Sequence, residues 1–168
     1  FGYAPNSVLD PTRGMTFYAI GLLITGIAST VSAVNLAVTV LNMRAPGMTW
    51  FRMPLFVWAH YATSLVMILG TPVVAITVLL LALERAGRVG IFDPTIGGDP
   101  ILFQHLFWFY SHPAVYIMVL PAFGIISQVV ATFSRKPVFG YLSMVYAMLA
   151  IGVEFAEQAL HILRFCLR

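Results

Sequence analysis

The chain has 168 residues, of which 60% are hydrophobic and only 9% are charged, and its mean hydropathy is +0.92. Because about a quarter of the residues in soluble domains are charged, this composition excludes an ordinary water-soluble domain and indicates a membrane protein. The basic residues behind the net charge of +3 lie in the predicted connections and tail. We therefore expect them to interact with lipid phosphates and expect no nucleic-acid partner. The single cysteine, Cys166, excludes an internal disulfide and a cysteine-cluster metal site.

Four stretches without Asp, Glu, Lys or Arg define the predicted helices. The first thirteen residues form a turn-rich lead-in that we expect to be irregular. Three of the four stretches are long enough to cross a hydrocarbon core of about 30 Å, whereas Glu154 cuts the fourth short. The predicted helices lie near residues 15–41, 54–83, 100–132 and 138–153. Since a backbone in lipid must satisfy its own hydrogen bonds, the predicted fold class is all-α, a polytopic transmembrane helix bundle with about three full spans and part of a fourth.

The connections between these helices carry signals of their own. Asp99 and Pro100 are typical of the N-cap and the first position of the third helix. Antiparallel packing places the first and third connections on one side of the membrane, with four basic and no acidic residues: Arg44, Arg52, Arg135 and Lys136. The other side has three basic residues: Arg13, Arg85 and Arg88. The positive-inside rule therefore favours the first side as cytoplasmic by a narrow margin.

The segment FWFYSHPAVYIMVLP, Phe107–Pro121, places polar side chains inside an uncharged helix. His112 and Tyr116 are four residues apart and so share one helix face. Pro113 has no N–H to donate to the carbonyl of Phe109, which predicts a bend. Because an imidazole is costly in a bilayer and is a good ligand for copper, iron or zinc, His112 is either a metal ligand or proton relay, or a buried histidine bonded to a neighbouring helix. One histidine is not a metal site, so further ligands must come from elsewhere.

The other histidines carry weaker signals. We interpret His60 and His105, near the predicted starts of the second and third helices, as interfacial or helix-bonded, and His161 in the tail as solvated. The first helix has an unusually polar centre, formed by Ser29, Thr30, Ser32 and Asn35. This polar centre indicates either helix–helix hydrogen bonds or a water-lined proton path.

Three ordered stretches resemble subunit I of the haem–copper oxidases: NMRAPGMTWFRMPLFVWA, GGDPILFQHLFWFYSHPAVYIMVLPAFGIIS and ATFSRKPVFGYLSMVYAMLAIG. The resemblance runs from about Gly14 to Val153 and corresponds to the family's fourth, fifth and sixth helices and the start of the seventh. We therefore expect an internal fragment, which agrees with a sequence that starts on Phe1 rather than Met. The resemblance implies the catalytic subunit of a terminal oxidase that reduces O2 to water with electrons from cytochrome c and translocates protons. Two alternatives are a quinol oxidase of the same superfamily and a non-catalytic membrane helix bundle.

The resemblance also assigns roles to single residues. His112 matches the first of three histidine ligands of the copper called CuB, and Tyr116 matches the tyrosine that the family couples covalently to that ligand. Trp108 matches a tryptophan beside the oxygen-reducing site, with simple packing as the alternative. Asn35 and Ser29 match polar residues along the proton path that enters from the cytoplasmic side.

The implied cofactors are CuB together with a low-spin and a high-spin haem, expected to be of the A type, with most ligands outside this sequence. The implied partners are subunit II with its CuA, subunit III, cytochrome c, O2 and the lipid bilayer. The implied location is the bacterial inner membrane, as a multi-pass protein.

This sequence departs from the commoner family pattern Gly-His-Pro-Glu-Val-Tyr. Ala114 replaces the glutamate, and Tyr110 and Ser111 precede the histidine. The arrangement resembles a bacterial subfamily in which the tyrosine hydroxyl replaces the glutamate, so we assign Tyr110 and Ser111 to the proton path. Tyr110 and Ala114 share a helix face, although a helical side chain leans toward the N-terminus and so away from Ala114.

After Val153 the sequence reads EFAEQALHILRFCLR, where the family continues with apolar residues and a His-His pair. We therefore divide the chain into an oxidase segment, residues 1–153, and a divergent tail, residues 154–168. Glu154-Phe155 is what the cloning site GAATTC encodes, so we interpret the tail as a frameshift or vector read-through. Genomic sequence that runs unbroken from Val153 into this tail would contradict that interpretation.

Overall fold

The structure, a computed structural model, describes residues 3–9, 13–87 and 89–166. Within these residues five α-helices follow one another and no strand occurs: α1 (Asn6–Leu9), α2 (Gly14–Asn42), α3 (Leu55–Gly87), α4 (Pro100–Ser134) and α5 (Tyr141–Cys166). Helices α2, α3 and α4 are long and apolar enough to cross a membrane. The predicted all-α class and its three full spans are thereby confirmed. Arg88, which entered the charge count, lies outside the described residues.

The helix bounds differ from the prediction at both ends of the chain. The lead-in, predicted to be irregular, contains the short helix α1. Helix α5 was predicted to stop near Val153 but continues to Cys166, although its apolar part ends at Glu154. The physical reason is that a charged residue ends a membrane span without ending a helix, since glutamate is a good helix former.

The start of α4 is fixed by local chemistry, as predicted. Asp99 is the N-cap, and its Oδ1 accepts a hydrogen bond from the backbone N–H of Ile101 at 2.8 Å. Pro100 takes the first helical position, where a missing N–H costs nothing. At the other end Arg135 adopts a left-handed conformation with φ of 52°, and its N–H donates to the carbonyl of Thr132.

Helix α3 is the central element of the bundle. It packs along α2 and along α4, and α5 contacts both α3 and α4. Small residues allow these close approaches: a Cβ added at Gly26 of α2 would lie 3.7 Å from the Cβ of Ala75, and one added at Gly124 of α4 would lie 2.9 Å from the Cβ of Ala59. Such small-residue contacts are typical of packed membrane helices.

The first and third connections lie together at one end of the bundle, as antiparallel packing predicts. Trp58 Nε1 donates to the carbonyl of Trp50 and to the hydroxyl of Tyr141, both at 3.1 Å. The Tyr141 hydroxyl in turn donates to the carbonyl of Met53. Arg44 places its guanidinium 4.3 Å from the centre of the Trp50 ring, a cation–π contact.

The second connection closes the opposite end over another apolar cluster. Its buried members are Ala4, Leu81, Phe92 and Phe103. The Phe92 and Phe103 rings meet edge to face with centroids 5.4 Å apart. Arg85 donates through its guanidinium to the carbonyl of Ser7, which ties α1 to the end of α3.

Candidate functional site

His112 and Tyr116 form a stacked pair on α4. Their ring centroids are 5.0 Å apart and their planes are inclined by 25°. His112 is exposed and Tyr116 is half-buried. Helix α4 continues through Pro113 without interruption, so the pair stays on one continuous helical face. The pair thus brings an imidazole and a phenol close together on α4.

The apolar packing face of α4 lies elsewhere. The buried residues of α4 are Phe103, Pro113, Leu120 and Gly124. Trp108 is 56% exposed and meets the neighbouring Phe107 ring edge to face, with centroids 6.2 Å apart. Trp108, His112 and Tyr116 follow one another at intervals of one turn, so they form a single line along α4. Trp108 and His112 are exposed, and Tyr116 is half-buried.

Tyr110 and Ser111, assigned to the proton path, are half-buried on α4. Ala114, in the position of the family's glutamate, is half-buried as well. Tyr110 is one turn before Ala114, as the sequence predicts. The two assigned residues therefore sit directly before the His112–Tyr116 pair on the same helix.

Ser29 and Asn35 are on α2, and the fold does not bring them to the His112–Tyr116 pair, because α2 and α4 each pack against α3. Ser29 is half-buried and Asn35 is exposed. Thr30, between them, donates to the carbonyl of Gly26 in its own helix at 2.9 Å. The polar centre of α2 thus spreads over exposed and half-buried positions.

Of the other histidines, His60 agrees with the prediction of a helix-bonded ring. The Nδ1 atom of His60 lies 2.9 Å from the carbonyl oxygen of Phe56, one turn earlier, so this ring is helix-bonded. His105 is half-buried near the start of α4, and His161 is exposed.

The described part of the chain contains no group of three or more His, Cys, Asp or Glu side chains that could hold a metal ion. His112 nevertheless fits a copper site as one ligand, because it is an exposed imidazole, a donor suited to copper, on an open helix face. A copper ion bound at His112 would need further ligands from elsewhere, as the sequence predicts.

Glu84, near the end of α3, is a residue to which the sequence analysis gave no role. It is 1% exposed, and its Oε1 accepts hydrogen bonds from three successive backbone N–H groups, those of residues Ile91, Phe92 and Asp93. A signal was present: an acidic residue near the C-terminus of an apolar helix opposes the helix dipole and so points to a specific partner.

Comparison with known proteins connects this geometry to a family. The family model described as Cytochrome C and Quinol oxidase polypeptide I matches residues 1–161. The chain is 47% identical over 151 residues to the cytochrome c oxidase subunit 1 of Cereibacter sphaeroides, which covers 90% of this chain. It is also 47% identical over 150 residues to the protein of the same name from Synechocystis sp., covering 89% of this chain, and 47% identical over 140 residues to that of Bacillus sp., covering 83%.

The chain spans only part of these relatives: 27% of the length of the first two and 23% of the third. The matched residues 1–161 include the helix that carries His112 and Tyr116. The chain therefore belongs to the family of cytochrome c and quinol oxidase polypeptide I.

Proposed function

We propose that the chain is part of the catalytic subunit of a respiratory terminal oxidase, which reduces O2 to water with electrons from cytochrome c and couples this reaction to proton translocation. The observation that carries the proposal is the stacked His112–Tyr116 pair on an open face of an apolar helix, in a chain of this family. The relatives named as cytochrome c oxidase subunit 1 support the activity. We assign this role to residues 1–153.

Copper and haem, when bound, supply O2 binding and electron transfer, whereas the protein positions them and manages protons. We assign His112 as a ligand of CuB through one imidazole nitrogen. Tyr116, one turn further along, holds its phenol beside that imidazole and delivers a proton to the reacting oxygen. Trp108, one turn before His112, lines the haem pocket. The low-spin and high-spin haem, of the A type, take most of their ligands from outside this chain.

Protons must reach this pair through a membrane interior that excludes charge. We assign the approach to Tyr110 and Ser111, which directly precede His112 and are half-buried. A tyrosine hydroxyl both donates and accepts a hydrogen bond, so Tyr110 can pass a proton on without becoming charged. We assign Ser29 and Asn35 on α2 to an earlier part of the same path, which would need bound water to bridge the two helices.

The partners follow from the same assignment. Subunit II with its CuA, subunit III and cytochrome c complete the electron route, and the protein lies in the bacterial inner membrane as a multi-pass chain. The bacterial relatives and the three apolar helices support this location.

Quinol as the electron donor is a second candidate, because the matching family includes both cytochrome c and quinol oxidases. A non-catalytic helix bundle is a third. Purified full-length complex separates them: an oxidase has haem absorption bands and bound copper and consumes O2 with one of the two donors, whereas a bare bundle has neither bands nor metal.

The substitution His112→Ala in the full-length complex tests the metal assignment. Because the imidazole is replaced by a methyl group, we expect the copper of CuB and oxygen reduction to be lost together, while the copper of CuA and the low-spin haem band remain. His60→Ala is the matched control, since His60 is a half-buried histidine bonded within α3. The complex with this substitution should keep its copper. Full copper occupancy in the His112 variant would overturn the ligand assignment.

A further inference from the structure

Glu84 is a buried carboxylate for which the proposed function has no role. It lies near the end of α3 and is 1% exposed. Its Oε1 accepts from the backbone N–H of Ile91 at 3.0 Å, of Phe92 at 2.9 Å and of Asp93 at 2.9 Å. One oxygen atom therefore binds three consecutive residues of the following loop.

The loop closes around this carboxylate. The Gly98 N–H donates to the carbonyl of Asp93 at 2.8 Å, and the Asp99 N–H donates to the carbonyl of Ile91 at 3.0 Å. A Cβ added at Gly98 would lie 2.6 Å from the backbone nitrogen of Asp93, so only glycine fits there. Ile91 and Asp93, which donate to Glu84, thus also accept hydrogen bonds from the two residues just before α4.

The loop also fixes α4 directly. Asp99, bonded to Ile91, is the N-cap of α4. Phe92, whose N–H binds Glu84, is fully buried with its ring 5.4 Å from that of Phe103 in the first turn of α4. A helix turns by about 100° per residue, so the position of this first turn determines the direction in which every later side chain of α4 points.

We propose that Glu84 is a positioning residue for His112: by binding the loop at residues 91–93, it sets the start and the rotation of the helix that presents the copper ligand. The proposal rests on the proposed oxidase function only for the identity of the metal. Glu84 does not contact the copper; it affects the copper ligand only through the positions of the loop and α4.

The second oxygen of Glu84 makes a sharp test available. Oε2 is buried and has no hydrogen-bond partner among the described residues. Glu84→Gln therefore keeps the accepting Oε1 and replaces the other oxygen with an amide NH2, while Glu84→Asp shortens the side chain so that it no longer reaches all three N–H groups. Thr77→Val is the matched control, since Thr77 is fully buried on α3 but binds only the carbonyl of Val73 in its own helix, at 2.8 Å.

The experiment uses the purified full-length complex, with copper per haem measured by metal analysis and hydrogen exchange measured for the peptide covering residues 89–99. Supporting groups around metal ligands contribute about tenfold or more to metal affinity, so Glu84→Asp should bind copper about tenfold more weakly and exchange faster in the loop. The Glu84→Gln complex should retain most of its copper, and the Thr77→Val complex should retain all of it.

Full copper and wild-type loop exchange in Glu84→Asp would overturn the proposal. An equal copper loss in Thr77→Val would also overturn it, because general loss of stability would then explain the effect. Absence of copper from the wild-type complex would instead contradict the proposed function. Hydrogen exchange in residues 89–99 would still show whether Glu84 stabilises the loop.

Discussion

The proposed role of Tyr110 depends both on its position in α4 and on the family resemblance. Its position one turn before Ala114 is fixed by helix geometry, whereas its role as the replacement for a glutamate comes from the family resemblance. The half-buried environment of both residues agrees with a hydroxyl that faces protein or bound water rather than open lipid. The proton-path role is therefore best tested by removing only the hydroxyl.

The substitution Tyr110→Phe keeps the ring and its packing. A positioned proton-transfer group contributes about a hundredfold or more to rate, so we expect turnover of the full-length enzyme to fall by about that factor, with haem absorption unchanged. Oxygen consumption and proton release from reconstituted vesicles measure the effect.

Tyr18→Phe is the matched control, because Tyr18 is 52% exposed near the start of α2, away from α4. It should turn over at the wild-type rate. Normal turnover and proton pumping in the Tyr110 variant would exclude the relay role.

At the scale of helices, Gly124 marks a close contact between α3 and α4. A Cβ at Gly124 would lie 2.9 Å from the Cβ of Ala59 and 2.9 Å from the Cα of Phe56. The second of these atoms belongs to the backbone, so it cannot move aside as a flexible side chain can. The two helices would have to separate, which would disturb the packing of Leu120, fully buried one turn earlier.

Gly124→Ala should therefore destabilise the full-length protein by about 1–3 kcal/mol, the usual cost of overpacking. Thermal unfolding in detergent measures the change. Gly21→Ala provides the control, since nothing lies within 4 Å of the added Cβ, and alanine is the better helix former by about 1 kcal/mol. If both variants unfold at the same temperature, α3 and α4 are not packed too closely at Gly124 to accept a methyl group.

Local chemistry explains which elements could be predicted. The start of α4 follows from Asp99 and Pro100 alone, because a cap is made by residues adjacent in sequence. The end of α5 does not follow from the charge of Glu154, because charge limits a membrane span and not a helix. The position of Glu84 near the end of an apolar helix signals a partner, but the three N–H groups that it binds are brought together only by the folded loop, so the sequence does not identify them.

At the scale of the whole molecule, the site was predictable only in the part that one helix contains. The spacing of His112 and Tyr116 places them on one face, and the stacked rings confirm that geometry. The chain spans 27% of the length of its first two relatives. Under the proposed function, the other copper ligands and the haem ligands are expected from outside this segment.

The orientation of the bundle in the membrane is a property of all its helices together. The basic side chains of Arg44 and Arg135 lie in connections that the Trp58–Tyr141 hydrogen bond holds at one end. The positive-inside rule then favours this end as cytoplasmic. Because α3 and α4 each cross the membrane once, the second connection must lie on the opposite side.

Single cysteines introduced into an otherwise cysteine-free full-length protein test this orientation. Phe51, Ile96 and Phe139 are exposed, each in a different connection. With a membrane-impermeant maleimide, Ile96→Cys should react in intact cells, whereas Phe51→Cys and Phe139→Cys should react only in inverted vesicles. The opposite pattern would reverse the predicted sides and keep the bundle. Labelling of all three from one face would contradict the two spans themselves, because an odd number of crossings separates Ile96 from each of the other positions.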